Sequence, residues 1–331
     1  MKKELELWQF VAERLKQNKS VMLLVVAESS GSSPGRQGFK MAVAEDEIAG
    51  SIGGGVMEVR LVEQAKGQRQ KAKGKIAAKI IEQVHRGKSP NSSGMICSGK
   101  QTVIFFRLDS PHLITVRKIL RALKTHQSKI LHISNFELQI LENEPSNFDF
   151  RFELLNENDF LYEEKLGFKN KLFIVGGGHC ALALSELASK MDFYITLFDD
   201  RPHLNTVAKN KFIHEKIIIE SYEQIGDFIL PGANHYVVVM TLGYKSDETV
   251  VRRLIGKQFK YFGVLGSKAK MKTLLKNLEE EGFSAERINR IYTPIGVQIN
   301  SQTPEEIAVS IAAEIIAIKN AKKTHLNDPG C

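Results

Sequence analysis

Short apolar runs separated by glycine-rich or charged turns define the expected elements along the chain. Leu5, Trp8, Phe10–Val11 and Leu15 recur at helical spacing and predict an amphipathic first helix. Val21–Ala27, continuous and rich in valine, reads as a buried strand. Ser29–Gly35 is dense in hydroxyls and glycine and reads as a loop, either aimed at an anion or simply flexible. Phe39–Ala44 and Glu47–Ala49 are expected as two strands joined at Glu45-Asp46. Val59, Val62 and Ala65 predict a helix face, and Ile76–Val84 is read as a second helix ending near Gly87-Lys88-Ser89-Pro90. A strand over Thr102–Leu108, a helix over Pro111–Lys124 and strands over Ile130–Ile133 and Phe136–Leu141 follow. The polar stretches Glu142–Asn147 and Asn156–Asn170 put a domain boundary within Glu163–Asn170.

Beyond it the pattern changes. Leu172–Val175 is apolar and stops at Gly176, Gly177 and Gly178; Leu184, Leu187, Ala188 and Met191 then share a helical face. A second apolar run, Phe193–Phe198, ends at Asp199-Asp200-Arg201-Pro202. Strand, glycine turn, helix and strand in this order make the unit of a right-handed βαβ crossover. Apolar runs recur at Lys216–Ile219, Tyr236–Met240 and Tyr261–Leu265, with helical patterns at Asp247–Ile255 and Lys268–Leu278. Such alternation predicts a parallel, doubly wound sheet whose ligand crevice lies at the strand C-termini. Gly176–His179, Asp199, Thr241 and Gly266-Ser267 are expected to converge there. Thr303-Pro304-Glu305-Glu306 opens a helix that runs to about Asn320. The fold class expected is α/β: an N-terminal α/β domain over 1–165, then a Rossmann-like doubly wound parallel-sheet domain over 170–321, with 322–331 as a disordered tail.

The physics of the βαβ turn is specific. Gly176 allows the tight reversal, Gly178 lets backbone approach a phosphate, and Ala181 lets helix and strand pack closely. Unpaired N–H groups at the helix start favour an anion. Asp199 stands where a carboxylate accepts from a ribose-like diol, with Arg201 able to accommodate a 2′-phosphate. A purely structural glycine turn is the alternative. His179 is the one acid–base candidate named at the crevice, and a histidine at a helix start is often structural. Cys180 shares the turn, where a helix N-terminus lowers a thiol pKa, or it faces the sheet as a small apolar residue.

A second glycine cluster, Gly50-Ser51-Ile52-Gly53-Gly54-Gly55, precedes Glu58. Its glycines allow a ligand near, while Glu58 either satisfies the helix dipole or accepts from a donor-rich edge such as a pterin's amino-pyrimidinone side. Cys97, in a turn beside Ser98-Gly99, is either a sulfur ligand or inert packing.

The chain has 331 residues, 43% of them hydrophobic, enough for two cores. A net charge of +8 raises nucleic acid as a partner. The basic residues are scattered and lack an aromatic platform, so solubility and anion steering are expected, with no nucleic-acid partner. Three cysteines without a CxxC argue against a disulfide framework. No HExxH or Cys/His cluster signals zinc, no signal-peptide core opens the chain, and no apolar run approaches a membrane span. A cytoplasmic protein without a membrane partner is expected.

Together GSSPGRQGFKM, GSIGGGVMEVRL, MICSGKQTVI, VGGGHCALAL, LFDDRP, GVLGSKAKM and TPIGVQINSQTPEEIAVSIAAEI resemble the XdhC/CoxI family of accessory proteins for molybdenum hydroxylases. The resemblance implies a chaperone-like carrier that binds molybdenum cofactor (molybdopterin) and helps insert its sulfurated form into an apo molybdenum hydroxylase of the xanthine dehydrogenase type. It further implies a homodimer and, as a possible partner, a cysteine desulfurase. On it, Gly53, Gly54, Gly55 and Glu58 match the family's glycine motif, and Cys97 matches a cysteine suited to the metal or its sulfur. Gly176, Gly177, Gly178, His179, Asp199 and Arg201 match the Rossmann motif, and Gly266 and Ser267 the later turn. Many members carry Thr-His-x-His where this chain reads Thr241-Leu242-Gly243-Tyr244, and Lys268 and Lys270 stand where arginines are common. The alternative is an NAD(P)-binding oxidoreductase using the same βαβ, and a third reading is a scaffold that only docks a partner.

Overall fold

The computed structural model describes residues 1–45, 47–71, 78–84, 99–142, 148–156 and 159–321. The chain divides into two compact units, Met1–Gly167 and Phe168–Cys331.

In the first unit α1 (Lys2–Lys16) leads into β1 (Val21–Gly31), β2 (Lys40–Val43) and β3 (Ile48–Gly50). Then follow α2 (Gly55–Lys71), β4 (Lys79–Val84) and β5 (Gly99–Leu108). These strands form an antiparallel sheet ordered β3-β2-β1-β5-β4. The strand β1 reads as a continuous apolar run because both its faces are covered. Leu23, Val25 and Ala27 join a core with α1 residues such as Trp8 and Val11, while Met22, Leu24 and Val26 join a second core with Leu61 and Ala65 of α2. A 3-10 turn at Ser110–His112 opens α3 (Leu113–Lys124). The strands β6 (Lys129–Ser134), β7 (Leu138–Glu142), β8 (Phe150–Asn156) and β9 (Asp159–Leu166) form a second antiparallel sheet, ordered β7-β6-β9-β8.

Three expectations change here. Ser29–Gly31 is not loop but the end of β1, paired with Gly99–Gln101. Lys79–Val84 is a strand and not a helix. Ile80 and Ile81 pair with Ile104 and Val103, and buried Gln83 accepts from Gln101 Nε2 at 2.9 Å. Partners on β5 decide the conformation of this stretch and override the helical reading of its local spacing. The polar stretch Asn156–Asn170 holds an unexpected strand, β9, ahead of the division between the units after Gly167. Phe160, Tyr162, Glu164 and Leu166 alternate inwards along β9. Glu164 is tolerated inside because Lys40 Nζ lies 2.5 Å from it and Tyr162 donates to it at 2.8 Å. Burial pulls the Lys40 ammonium down, but Glu164 and Glu4 outweigh it and raise its pKa.

On α2 the buried face is Met57, Leu61 and Ala65, and Val59 is exposed. Of the expected face, Ala65 is buried and Val62 packs half-buried against the same core, while the i, i+4 spacing from Met57 leaves Val59 outside it.

The second unit is a parallel sheet ordered β12-β11-β10-β13-β14. Its elements are β10 (Asn170–Val175), α4 (His179–Ser189), β11 (Phe193–Asp199), α5 (Asn205–Lys209), β12 (Glu215–Ile218), α6 (Ile225–Phe228) and β13 (Gly232–Val239). They continue with α7 (Tyr244–Leu254), β14 (Phe259–Val264), α8 (Lys268–Glu280), α9 (Ala285–Ile288) and α10 (Pro304–Asn320). In unit numbering this is 3-2-1-4-5, the doubly wound order, with its switch point between β10 and β13. One face buries Phe173, Val175, Val237 and Val239 under Val250, Leu254 and Leu274. The other buries Leu172, Ile174, Tyr236 and Val238 under Leu184, Ala188, Ile311 and Ile315. The helix α10 starts with a capping box between Thr303 and Glu306, as its sequence predicts.

Candidate functional site

In a doubly wound sheet the loops after the strands gather at one edge, and here those after β10, β11 and β13 interlock. Gly176 has φ +106, and a Cβ there would lie 2.3 Å from Met240 O, so only glycine lets the turn press against the loop after β13. Gly177 is clamped. Its N–H donates to Asp199 Oδ2 at 2.6 Å, and its carbonyl accepts from Thr206. Gly178 alone faces open space: a Cβ there would meet nothing within 4 Å, and it caps α4 with no side-chain acceptor. The first two glycines therefore build the turn, and the third leaves it accessible. Ala181 is fully buried, consistent with close helix–strand packing. His179, the first residue of α4, is exposed.

Asp199 departs from its expected role. Its side chain is 0% exposed. Its oxygens accept from Arg201 N at 2.9 Å, Arg201 Nε at 2.8 Å, Arg201 Nη2 at 2.8 Å and Gly177 N at 2.6 Å. A carboxylate has about four lone-pair sites, and all are engaged, so acceptance from a ribose diol does not fit. Burial works against the Asp199 charge, but the hydrogen bonds from Arg201 and Gly177 outweigh it and hold the carboxyl below its usual range. Asp199 ties the loop after β11 to the glycine turn and orients Arg201, whose side chain stays 31% exposed.

Gly266 and Ser267 also take structural roles. Ser267 Oγ caps α8 by accepting from Lys270 N, and Gly266 packs against the flexible end of Met271, where a Cβ would meet Cε at 2.5 Å. Thr241, Asp247 and Lys270, separate in the sequence, are joined in the fold. Asp247 Oδ1 accepts from Thr241 N at 2.9 Å and from Thr241 Oγ1 at 2.6 Å, and Lys270 Nζ reaches Oδ2 at 3.0 Å. An acid in a first helical turn beside a threonine loop was the available signal. The network fixes the loop after β13 against α8, while Leu242 at its tip is 82% exposed. Cys180 is half-buried and packs against the core that α10 helps to form; burial and the Glu305 carboxylate push its thiol up, so the activated-thiol reading falls.

In the first unit the glycine cluster closes on itself. Gly53, at φ +128, presses on Gly35, where a Cβ would come within 2.4 Å of Gly35 N. Glu58 Oε2 accepts from Ser51 Oγ at 2.7 Å, Ile52 N at 2.9 Å and Gly54 N at 2.9 Å. The position expected for a ligand anion is filled by the protein's own carboxylate. Gly54 and Gly55 border open space. Cys97 lies outside the described residues, and no group of three His, Cys, Asp or Glu able to hold a metal occurs among those described.

Profiles of known families match both units. One described as the XdhC Rossmann domain covers residues 172–315, and one described as the XdhC and CoxI family covers residues 14–77. The chain belongs to the XdhC and CoxI family. Its relatives include the uncharacterized protein YqeB of Escherichia coli, 30% identical over 46% of this chain and 28% of YqeB. A Bacillus subtilis protein named as a probable subunit of xanthine dehydrogenase is 29% identical over 47% of this chain and 45% of that protein. The match thus spans less than half the length of either relative. A crystal structure described as a xanthine dehydrogenase from Bacillus halodurans shares this XdhC fold, with a TM-score of 0.69 at 22% identity over 98% of both chains. No helix among the described residues is long and apolar enough to cross a membrane.

Proposed function

We propose that this XdhC-family protein is an accessory factor that binds molybdenum cofactor and helps insert it, sulfurated, into an apo hydroxylase of the xanthine dehydrogenase type. The observation that carries the reading is family membership in both units, joined by a relative named as a probable component of xanthine dehydrogenase. The donor set suits the ligand's phosphate end: Gly178 borders open space, and the Arg201 guanidinium is tied to the adjacent Gly177 through Asp199 Oδ2. In the first unit Glu58 has its Oε2 bonded to the loop, and Oε1 is the acceptor proposed for the pterin's amino-pyrimidinone edge. Cys97 is the proposed ligand for molybdenum or its sulfur. The cofactor supplies molybdenum redox chemistry to the enzyme that receives it; this chain binds and orients. A cytoplasmic homodimer that takes sulfur from a cysteine desulfurase belongs to the same proposal.

The oxidoreductase reading has less support, because Asp199 is not free to accept from a nicotinamide dinucleotide's ribose. The test is an anaerobic titration of the full chain with molybdenum cofactor, then mixing with an apo xanthine dehydrogenase. Saturable binding and transfer, both weakened by Cys97→Ala, are expected. Tight NAD binding without cofactor binding overturns the proposal.

A further inference from the structure

The second unit's crevice carries an acid where a diol-reading acid stands in dinucleotide folds, yet that acid faces inward. All four acceptor positions of Asp199 are engaged, and three of the donors belong to Arg201. Oδ2 is shared by Gly177 N and Arg201 Nη2, which sets the guanidinium alongside the glycine turn. Arg201 uses one edge of its fork, Nε and Nη2, on Asp199, so the opposite edge remains for a ligand. The remaining charge at this end of β11 is Asp200. It lies 3.7 Å from Arg201 Nε, is 41% exposed, and accepts from Tyr222 Oη at 3.3 Å.

We propose that this crevice reads a phosphomonoester and excludes a free ribose diol, with Arg201 as the contact group and Asp199 as the residue that positions it. A locked guanidinium pairs in two-pronged fashion with a phosphomonoester dianion, whereas a diol brings hydroxyl donors to a carboxylate with no acceptor left. Two ligand classes carry that group: the 2′-phosphate of NADP and the terminal phosphate of molybdopterin. NAD lacks it, and so do the dinucleotide forms of the cofactor, whose phosphate is tied into a pyrophosphate diester. For the pterin arm the inference rests on the carrier reading, and it selects the bare cofactor over its dinucleotide forms.

The experiment is a calorimetric titration of the full chain with NADP, NAD and, anaerobically, molybdopterin and its cytosine dinucleotide. Wild type, Arg201→Ala and Arg201→Lys are compared, with circular dichroism to verify folding. Within at least one pair, the phosphomonoester ligand is expected to bind at least tenfold tighter than its counterpart. Arg201→Ala removes that ratio, and Arg201→Lys, keeping charge without the fork, restores it in part. Asp199→Asn is expected to weaken the phosphomonoester ligand without tightening NAD. Equal binding within both pairs, a ratio unchanged in Arg201→Ala, or no binding of either phosphomonoester overturns the inference. If molybdopterin binds and Arg201→Ala leaves it unaffected, the carrier reading stands and this inference falls. If molybdopterin does not bind while NADP and NAD separate through Arg201, the reverse holds.

Discussion

The two glycine-rich strand-to-helix turns of this protein use similar residues and end in opposite states. After β3 the loop donors Ser51 Oγ, Ile52 N and Gly54 N converge on Glu58, so the turn holds an anion of its own. After β10 the carboxylate of Asp199 takes only Gly177 N from the turn, and Gly178 caps α4 with no side-chain acceptor. A glycine cluster before a helix therefore marks a place where backbone donors gather. What fills that place depends on the position of the nearest acid. Glu58 sits in the first turn of the same helix and folds back onto the loop; Asp199 arrives from the next strand and is held sideways by Arg201.

The largest effects are expected where glycine meets backbone. Gly53→Ala and Gly176→Ala would bring a Cβ within 2.4 and 2.3 Å of main-chain atoms at positive φ. Each should cost about 3 kcal/mol or more, read by urea unfolding. Gly54→Ala, with no neighbour within 4 Å, carries only the backbone term of about 1–2 kcal/mol. Equal losses at Gly53 and Gly54 would break the packing account.

Next comes Asp199→Asn. Losing a buried, fully bonded carboxylate should cost about 2–3 kcal/mol at neutral pH, below the usual figure for a buried pair because Arg201 is partly solvated. Since the folded pKa is depressed, this contribution is fully present above the unfolded carboxyl value and is lost as pH falls through the folded one. Wild type and variant should therefore differ most at neutral pH and converge in acid. A gap that is constant down into acid would mean that charge is not the cause.

A smaller change is expected from Glu58→Ala, which removes three hydrogen bonds to a charged acceptor and should cost about 1–2 kcal/mol. It should also create weak, salt-sensitive binding of inorganic phosphate that wild type lacks, visible as phosphate-dependent stabilisation of the variant. Identical responses to phosphate would sink the self-filled reading. Smallest of all, Leu242→Ser at an 82% exposed site should leave stability within about 0.5 kcal/mol, measured by thermal unfolding.

Periodicity in the chain by itself determined much of the architecture. The second unit's strands, the glycine turn into α4 and the Thr303 cap of α10 follow from local spacing and capping chemistry. Such signals are legible because neighbours in sequence produce them. The strand at Lys79–Val84 and the inward Glu164 of β9 were not legible, because each depends on a distant partner, β5 in one case and Lys40 in the other. At the candidate sites the sequence located the glycines and acids, while tertiary structure alone decided their roles. Asp199 and Glu58 are both acids beside a glycine turn. Only folding decides which of their lone pairs the protein's own donors occupy, since a carboxylate drawn out of water takes the donors that packing brings within reach.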